Sequence, residues 1–480
     1  MKSVWIGLFT LALAACASVP PPRTLDPKLV AHDFAGRRLD AAGLARAETR
    51  FGLSGNVAAP WTPDRITVAA WYFDPILAQA RAAARSAEAN ATLSAQRTNP
   101  TLKLSPEKVF SGLAGPNPWT IGVAVLLPLL HPGEAQARRA AATAETIAAR
   151  DQAAEALWQS RARAIAALRD VLFSRRAENL TQAVVHADTL HLDALRQQQT
   201  AGEIDRNAVL AAELERQRAE ADLASRRVQD AKAGAALASA IGVPRAALSG
   251  VTLRWPGLDT PPAPSALPRV ALAKDAVWNR LDLAVLLQRY RAAEAHLREA
   301  AGSRYPQLAI APGYLYDQRQ RKFTFGVDVE LPLFHGAGAR IRAAAAGRDE
   351  AAANVRAKQA SIFNQLDAAR AQYALRYAAW RRMADAAAKA HELAARAEVR
   401  RTAGQVGRPA VLTANIAADT AELNAESALS QVWAALGALE DAVQQPLWPA
   451  SQLPLPSVQS AAGTPTPPTD DSGAAHVEVH

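Results

Sequence analysis

The chain has 480 residues, half of them hydrophobic and only 6% aromatic, with a formal net charge of +9. That length allows two or three domains and a large buried core, and the long alanine-rich, aromatic-poor stretches exclude an all-β sandwich in favour of long helices. Beyond the first segment no apolar run is long enough for a membrane-spanning helix, which excludes a polytopic helical membrane protein. The arginines alternate with Asp and Glu, so the positive balance reads as solvated helix faces and not as a nucleic-acid footprint.

The N-terminus reads as a targeting segment. Lys2 supplies a positive start, Val4 to Ala14 a short apolar stretch, and Leu13-Ala14-Ala15-Cys16 the small residues of a cleavage site. This order resembles a bacterial lipobox. The resemblance implies removal of residues 1–15 as a lipoprotein signal peptide and a lipid on Cys16, the only cysteine in the chain. Ala17, where an Asp would oppose it, permits sorting to the outer membrane by the same resemblance. A single acyl chain binds a membrane weakly, so further chains or a second membrane element must complete the anchor. Residues 16–64 read as a lipidated tether with a short helical segment. Val19-Pro20-Pro21-Pro22-Arg23 is extended, and the part around Arg38-Leu39-Asp40 matches no motif.

The middle of the chain contains itself twice. Residues 120–131 (Thr-Ile-Gly-Val-Ala-Val-Leu-Leu-Pro-Leu-Leu-His) correspond to residues 324–335 (Thr-Phe-Gly-Val-Asp-Val-Glu-Leu-Pro-Leu-Phe-His). Thr200-Ala201-Gly202-Glu203-Ile204 corresponds to Thr402-Ala403-Gly404-Gln405-Val406, and Asn99-Pro100-Thr101-Leu102 to Tyr305-Pro306-Gln307-Leu308. The matches keep their order. A period of about 200 residues is a domain-sized duplication and not a solenoid. The first repeat is placed at 65–250 and the second at 273–448. A Pro-rich linker at 251–272 joins them, and a disordered Pro/Thr-rich tail at 449–480 follows.

In chain order, the first repeat reads as a helix at 68–98, strands at 101–110 and 118–128, a very long helix at 133–200 and a returning helix at 207–241. The second reads as a helix at 274–303, strands at 306–316 and 322–333, a long helix at 338–402 and a returning helix at 409–444. Each long helix spans roughly 100 Å at 1.5 Å per residue and needs a coiled-coil-like partner. A 4-3 seam is expected along Phe173, Ala177, Leu180, Val184, Ala187, His191 and Ala194. A second is expected along Leu210, Leu214, Gln217, Ala221, Ala224, Val228, Ala231, Ala235 and Ala238. In the strands, Phe325, Val327, Val329 and Leu331 alternate with Thr324, Gly326, Asp328 and Glu330. Period two places the two sets on opposite faces, as in a barrel with lipid outside and water inside, so Thr324, Asp328 and Glu330 are expected to face the lumen. Four strands cannot close a barrel, whereas three chains would supply twelve.

Taken together, the lipobox, the twofold repeat, and two strands followed by a rod-like helix in each repeat make the chain resemble the TolC-like outer-membrane factors. The nearest likeness is to the lipidated members serving tripartite efflux pumps of the resistance-nodulation-division type. The motifs carrying it are Asn99-Pro100-Thr101-Leu102, Leu127-Pro128-Leu129, Leu331-Pro332-Leu333-Phe334 and the tip pattern around Gly202 and Gly404, over about residues 65–447. The resemblance implies a mainly α fold with a small membrane β part, a homotrimer, and a 12-stranded β-barrel continuing into an α-helical barrel. Its implied function is a passive exit duct for drugs, metal ions or other small molecules, without catalysis and with no cofactor beyond the lipid. Its implied partners are a periplasmic adaptor (a membrane fusion protein), an inner-membrane pump and outer-membrane lipid, with no nucleic acid. The hairpin tips Gly202, Glu203, Ile204 and Gly404, Gln405, Val406, Gly407 are assigned to adaptor contact, and Glu398, Arg400 and Arg401 to a candidate periplasmic gate.

No catalytic motif stands out: the sequence has no GxSxG, P-loop, HExxH or CxxC. His186 and His191 are five apart and do not share a helical face. His131 and His335 occupy equivalent strand-to-helix turns, and His476 and His480 belong to the tail. Two other readings use the same residues: a trimeric coiled-coil spacer without a conduit, and a periplasmic adaptor. The two matched strand pairs disfavour the first, and the presence of two hairpins disfavours the second.

Overall fold

The computed structural model describes residues 24–56, 58–96, 98–108, 110, 119–129, 132–267, 280–317, 320–330, 337–448 and 453. Cys16, His131, His335, Leu331-Pro332-Leu333-Phe334 and the tail histidines lie outside them. Three short helices open the described chain: α1 (Pro27–Gly36), α2 (Ala42–Arg50) and α3 (Pro63–Phe73). The first repeat continues with α4 (Pro75–Ala95), β1 (Thr101–Lys108), β2 (Trp119–Leu129), α5 (Pro132–Thr200) and α6 (Arg206–Ile241). The second has α7 (Leu281–Gly302), β3 (Leu308–Asp317), β4 (Gln320–Val329), α8 (Ala337–Thr402) and α9 (Arg408–Val443).

The rods and returning helices fall within a residue of their expected bounds, because alanine-rich sequence ends only at strong punctuation. The helix expected at 68–98 is instead two helices. Pro75 has no N–H to donate and disfavours helical backbone at Asp74, which becomes the C-cap of α3 and the N-cap of α4, accepting from the Ile76 amide at 2.9 Å. The last described strand is Gln320–Val329, and residues 331–333 of the expected span lie outside the described residues.

α5, 69 residues long, is the spine. It packs against α4 and α6, which lie end to end along it, and against α7 and α9 of the other repeat, while α8 packs against α7 and α9. The seam on α5 is half-buried or buried throughout. The seam expected on α6 is mostly wrong: of its nine positions Ala238 is buried and Ala231 half-buried, and the rest are exposed. Leu210, Leu214 and Val228 are exposed, and the buried face carries Val209, Ala212, Leu223, Leu237 and Ile241. Both faces of α6 are rich in alanine and leucine, and the heptad count selected the outward one.

The core lies midway along the rods. α3 is buried nearly all round through Ile66, Val68, Ala69, Ala70 and Trp71, as suits a short apolar helix enclosed by others. The segment after α6 crosses this core. Trp61 N donates to Thr252 O and Arg254 N donates to Trp61 O, Trp433 Nε1 donates to Leu258 O at 2.7 Å, and the Tyr373 hydroxyl donates to Pro262 O. Trp255, Leu258 and Leu267 are buried there. Arg37 fastens the N-terminal helices to this region, donating to Phe73 O at 3.0 Å and to Gly242 O at 2.6 Å. Gly242 caps α6 at φ 88°, and a Cβ there would stand 2.7 Å from Phe73 O, so only glycine fits.

Candidate functional site

The four strands form one antiparallel sheet in the order β1-β2-β3-β4, so the central pairing joins the two repeats. Residues opposite each other in an antiparallel pair share a face. Leu102 pairs with Val125, Leu127 with Ile310, Ile310 with Val327 and Pro312 with Phe325, which places these side chains on one apolar face. Lys103 pairs with Ala124, Ala124 with Gly313, Gly313 with Thr324 and Ala309 with Asp328, so the other face is mostly small and polar, with Leu126 and Leu315 among these residues. Across that face Lys322 Nζ contacts Asp317 Oδ2 at 2.9 Å, and Thr120 Oγ1 donates to Asp317 Oδ1 at 3.1 Å.

Thr324 and Asp328 therefore lie on the polar face, and Glu330 lies just past the end of β4, its amide donating to Gln307 O. Asp328 and Glu330 line a cavity of about 610 Å³ where sheet meets helices, together with Glu134, Arg138, His296, Glu299 and Arg340. The apolar face is exposed. Phe323, Phe325 and Val327 are each more than half accessible, and the outer edges of β1 and β4 are unpaired among the described strands. Sequence reasoning missed that aromatic residues gather at the end remote from the helices: Trp119, Tyr314, Tyr316 and Phe323 sit there, with Lys108 Nζ 5.4 Å from the Trp119 ring. The signal was legible, since each lies within a few residues of a strand turn.

The two hairpin tips have the same backbone. Gly202 and Gly404 both have φ 75°. Glu203 N donates to Gln198 O at 2.9 Å and Gln405 N donates to Arg400 O at 2.9 Å, the bond pattern of a Schellman ending. Their exits differ. Asp205 caps α6 by accepting from Ala208 N at 3.0 Å, whereas Gly407 precedes α9 without a side-chain cap and Pro409 is the second residue of the helix. Glu203, Gln405 and Gly407 are exposed, while Ile204 and Val406 are half-buried, Ile204 against Leu192 and Val209.

The gate candidates stand one turn above the second tip. Glu398 and Arg401 pair with each other along one helix face, Arg401 Nη2 lying 2.7 Å from Glu398 Oε1, and Arg400 is exposed. The hydrogen bonds from Arg401 hold the Glu398 carboxyl below its usual range. Higher in the first hairpin Asp188 is buried, which pushes its carboxyl up, and His191 Nδ1 is buried without a hydrogen-bond partner. His186 is exposed. Among the described residues no group of three or more His, Cys, Asp or Glu side chains is placed to hold a metal ion, and no helix is long and apolar enough to cross a membrane.

No family model and no curated protein matches the sequence. Solved structures do match. The outer membrane protein VceC from Vibrio cholerae superposes with a TM-score of 0.65 at 18% identity, over 79% of this chain and 95% of that one. The CmeC outer membrane channel of Campylobacter jejuni gives 0.65 at 11% identity, over 89% and 93% of the two chains. The open state of the MtrE outer membrane channel of Neisseria gonorrhoeae gives 0.63 at 17% identity, over 80% and 89%. The chain has the fold of these outer-membrane channels, mainly helical with a small antiparallel sheet, in keeping with its resemblance to TolC-like outer-membrane factors.

Proposed function

We propose that the protein is the outer-membrane channel of a tripartite efflux system and works as a passive exit duct. The observation that carries this reading is the sheet. One face is apolar and exposed, the other is mostly small and polar, both edges are open among the described strands, and each repeat's second strand leads towards a rod of 66 residues or more. Strands of 8 to 11 residues suit a tilted membrane crossing of about 9–11 residues. An apolar exterior with a polar interior is the pattern of a membrane barrel around water. An open edge invites pairing with another copy, and three copies give twelve strands.

The rods support the same assembly. The exposed stripe of α6 (Leu210, Leu214, Val228) and that of α8 (Leu375, Met383, Leu393, Val399) occupy similar heights above the two tips, so a neighbouring copy can bury one against the other. The tips then form the periplasmic rim that meets an adaptor and, through it, an inner-membrane pump. Cys16 carries lipid that adds a second hold on the outer membrane. Loss of labelled palmitate on Cys16→Ala tests that anchor, and retention of the label contradicts it.

The decisive experiment is single-channel recording of the purified protein in planar bilayers, with its mass in solution. A trimer giving discrete conductance steps, either directly or once Glu398 and Arg401 are replaced, supports the reading. A monomer that neither inserts nor conducts overturns it.

A further inference from the structure

One histidine ties the two repeats together just beneath the sheet. His296 on α7 stands with Nδ1 3.2 Å from Glu299 Oε2 and Nε2 3.2 Å from Glu145 Oε1 on α5. Glu299 also accepts from Arg138 Nε on α5 at 3.2 Å, and Arg138 reaches Glu134 at 2.9 Å. A neutral imidazole has one N–H and one lone pair, so one of its two carboxylate partners would face a lone pair. Only the imidazolium donates to both. The arrangement is complete in one protonation state alone.

The charges around the ring favour that state. From α5 it faces Glu134, Glu145 and Arg138, and from α8 Arg340 shares its cavity. Asp328 and Glu330 line the same cavity from the sheet end, while on α7 Glu294 and Arg298 pair with each other. Of these groups Glu145 and Glu299, the two in hydrogen-bond reach, are the charges that act on the ring. Partial burial works against the charged ring, but the hydrogen bonds to Glu145 and Glu299 outweigh it and raise His296 above the usual histidine range.

We propose that His296 is a proton-operated clasp between the repeats, closed when the ring carries two N–H groups and released when it carries one. The inference concerns the junction of sheet and rods and does not depend on conduction. The clasp is complete at pH values below the ordinary histidine range and is lost as pH rises through the raised value. An acidic medium therefore tightens the collar on which the sheet stands, and an alkaline one loosens it.

Amide hydrogen exchange of the detergent-solubilised full chain, corrected for intrinsic rates, tests the clasp at about pH 5.5 and about pH 8.5. The last two turns of α7 are expected to exchange about two- to fivefold more slowly at the acidic pH. His296→Gln is expected to abolish that ratio. Equal protection at the two pH values, or an unchanged ratio in H296Q, overturns the proposal. Should H296Q fold poorly, Glu145→Gln keeps the ring and an acceptor oxygen but removes one negative charge that favours the imidazolium. The His296 imidazole titration, followed by NMR, is then expected to lie above the ordinary value in the unmodified chain and to move down in E145Q. A midpoint at the ordinary value, or one that E145Q leaves in place, also overturns it.

Discussion

Glu48 on α2 and Arg65 on α3 meet at 3.0 Å with neither side chain more than 5% exposed. Arg65 also donates to Ala59 O and lies with its guanidinium 4.2 Å from the Trp61 ring centroid, so one residue fixes two helices and the loop between them. Removing one partner of a buried pair leaves the other charge without compensation. Arg65→Ala is expected to destabilise by about 3–5 kcal/mol. A fall in the thermal midpoint of the purified protein checks this, and Arg65→Lys, which keeps the charge without the planar fork, is expected to fall by less.

Asp151 on α5 is 3% exposed and has no ion-pair partner among the described residues, and burial pushes its carboxyl up to about 6. The folded state therefore holds a proton that the unfolded chain, titrating near 3.9, releases sooner. The stability this group gives is present below the unfolded value and is lost as pH rises through about 6. At neutral pH the charged form costs up to about 3 kcal/mol. Asp151→Asn is expected to raise stability at pH 7.5 and to flatten the profile between about pH 4 and 6, as read by denaturant unfolding.

Leu214 on α6 is 47% exposed in the single chain and sits in the stripe assigned to a neighbouring copy. Leu214→Arg is expected to leave the helical signal unchanged and to shift the native mass from trimer towards monomer. The loss is about 1.5–3 kcal/mol of burial at each of the symmetric contacts. Native mass spectrometry checks it.

Phe325 and Thr324 are neighbours on opposite faces of β4. Arg at a lipid-facing position near the middle of a membrane costs about 2–4 kcal/mol, and Arg facing water costs little. Phe325→Arg is expected to reduce insertion into lipid vesicles several-fold, while Thr324→Arg inserts normally. Equal insertion of the two variants contradicts the facial assignment.

Glu398 and Arg401 are exposed at the second tip, so their pairing adds little to stability and replacing both is expected to move the thermal midpoint only slightly. If they stand at the closed entrance, Glu398→Ala with Arg401→Ala raises the resting conductance in planar bilayers. An unchanged leak removes them from the gate.

The rods and tips were legible in the sequence because Gly202 and Gly404 interrupt otherwise unbroken alanine-rich helix, and no competing signal lies nearby. The break at Asp74–Pro75 was legible in principle but was overridden by helical pattern on both sides. The α6 seam was not legible, because Val209, Ala212 and Leu223 form one apolar face and Leu210, Leu214 and Val228 another. Periodicity does not tell which of the two packs within the chain. The sheet faces followed from alternation in β4. The clasp at His296 did not, because Glu145 lies 151 residues away in sequence and only the packing of α5 on α7 unites them.

The matching tips have a consequence for recognition. Their main-chain reversals are alike, yet one presents Glu203 and Asp205 where the other presents Gln405 and Gly407. A threefold ring would show six docking loops, alternately bearing acidic side chains (Glu203, Asp205) and basic ones (Arg400, Arg408). A visitor able to grip any one of them feebly would hold the rim through several at once, and could let go of each without leaving the whole.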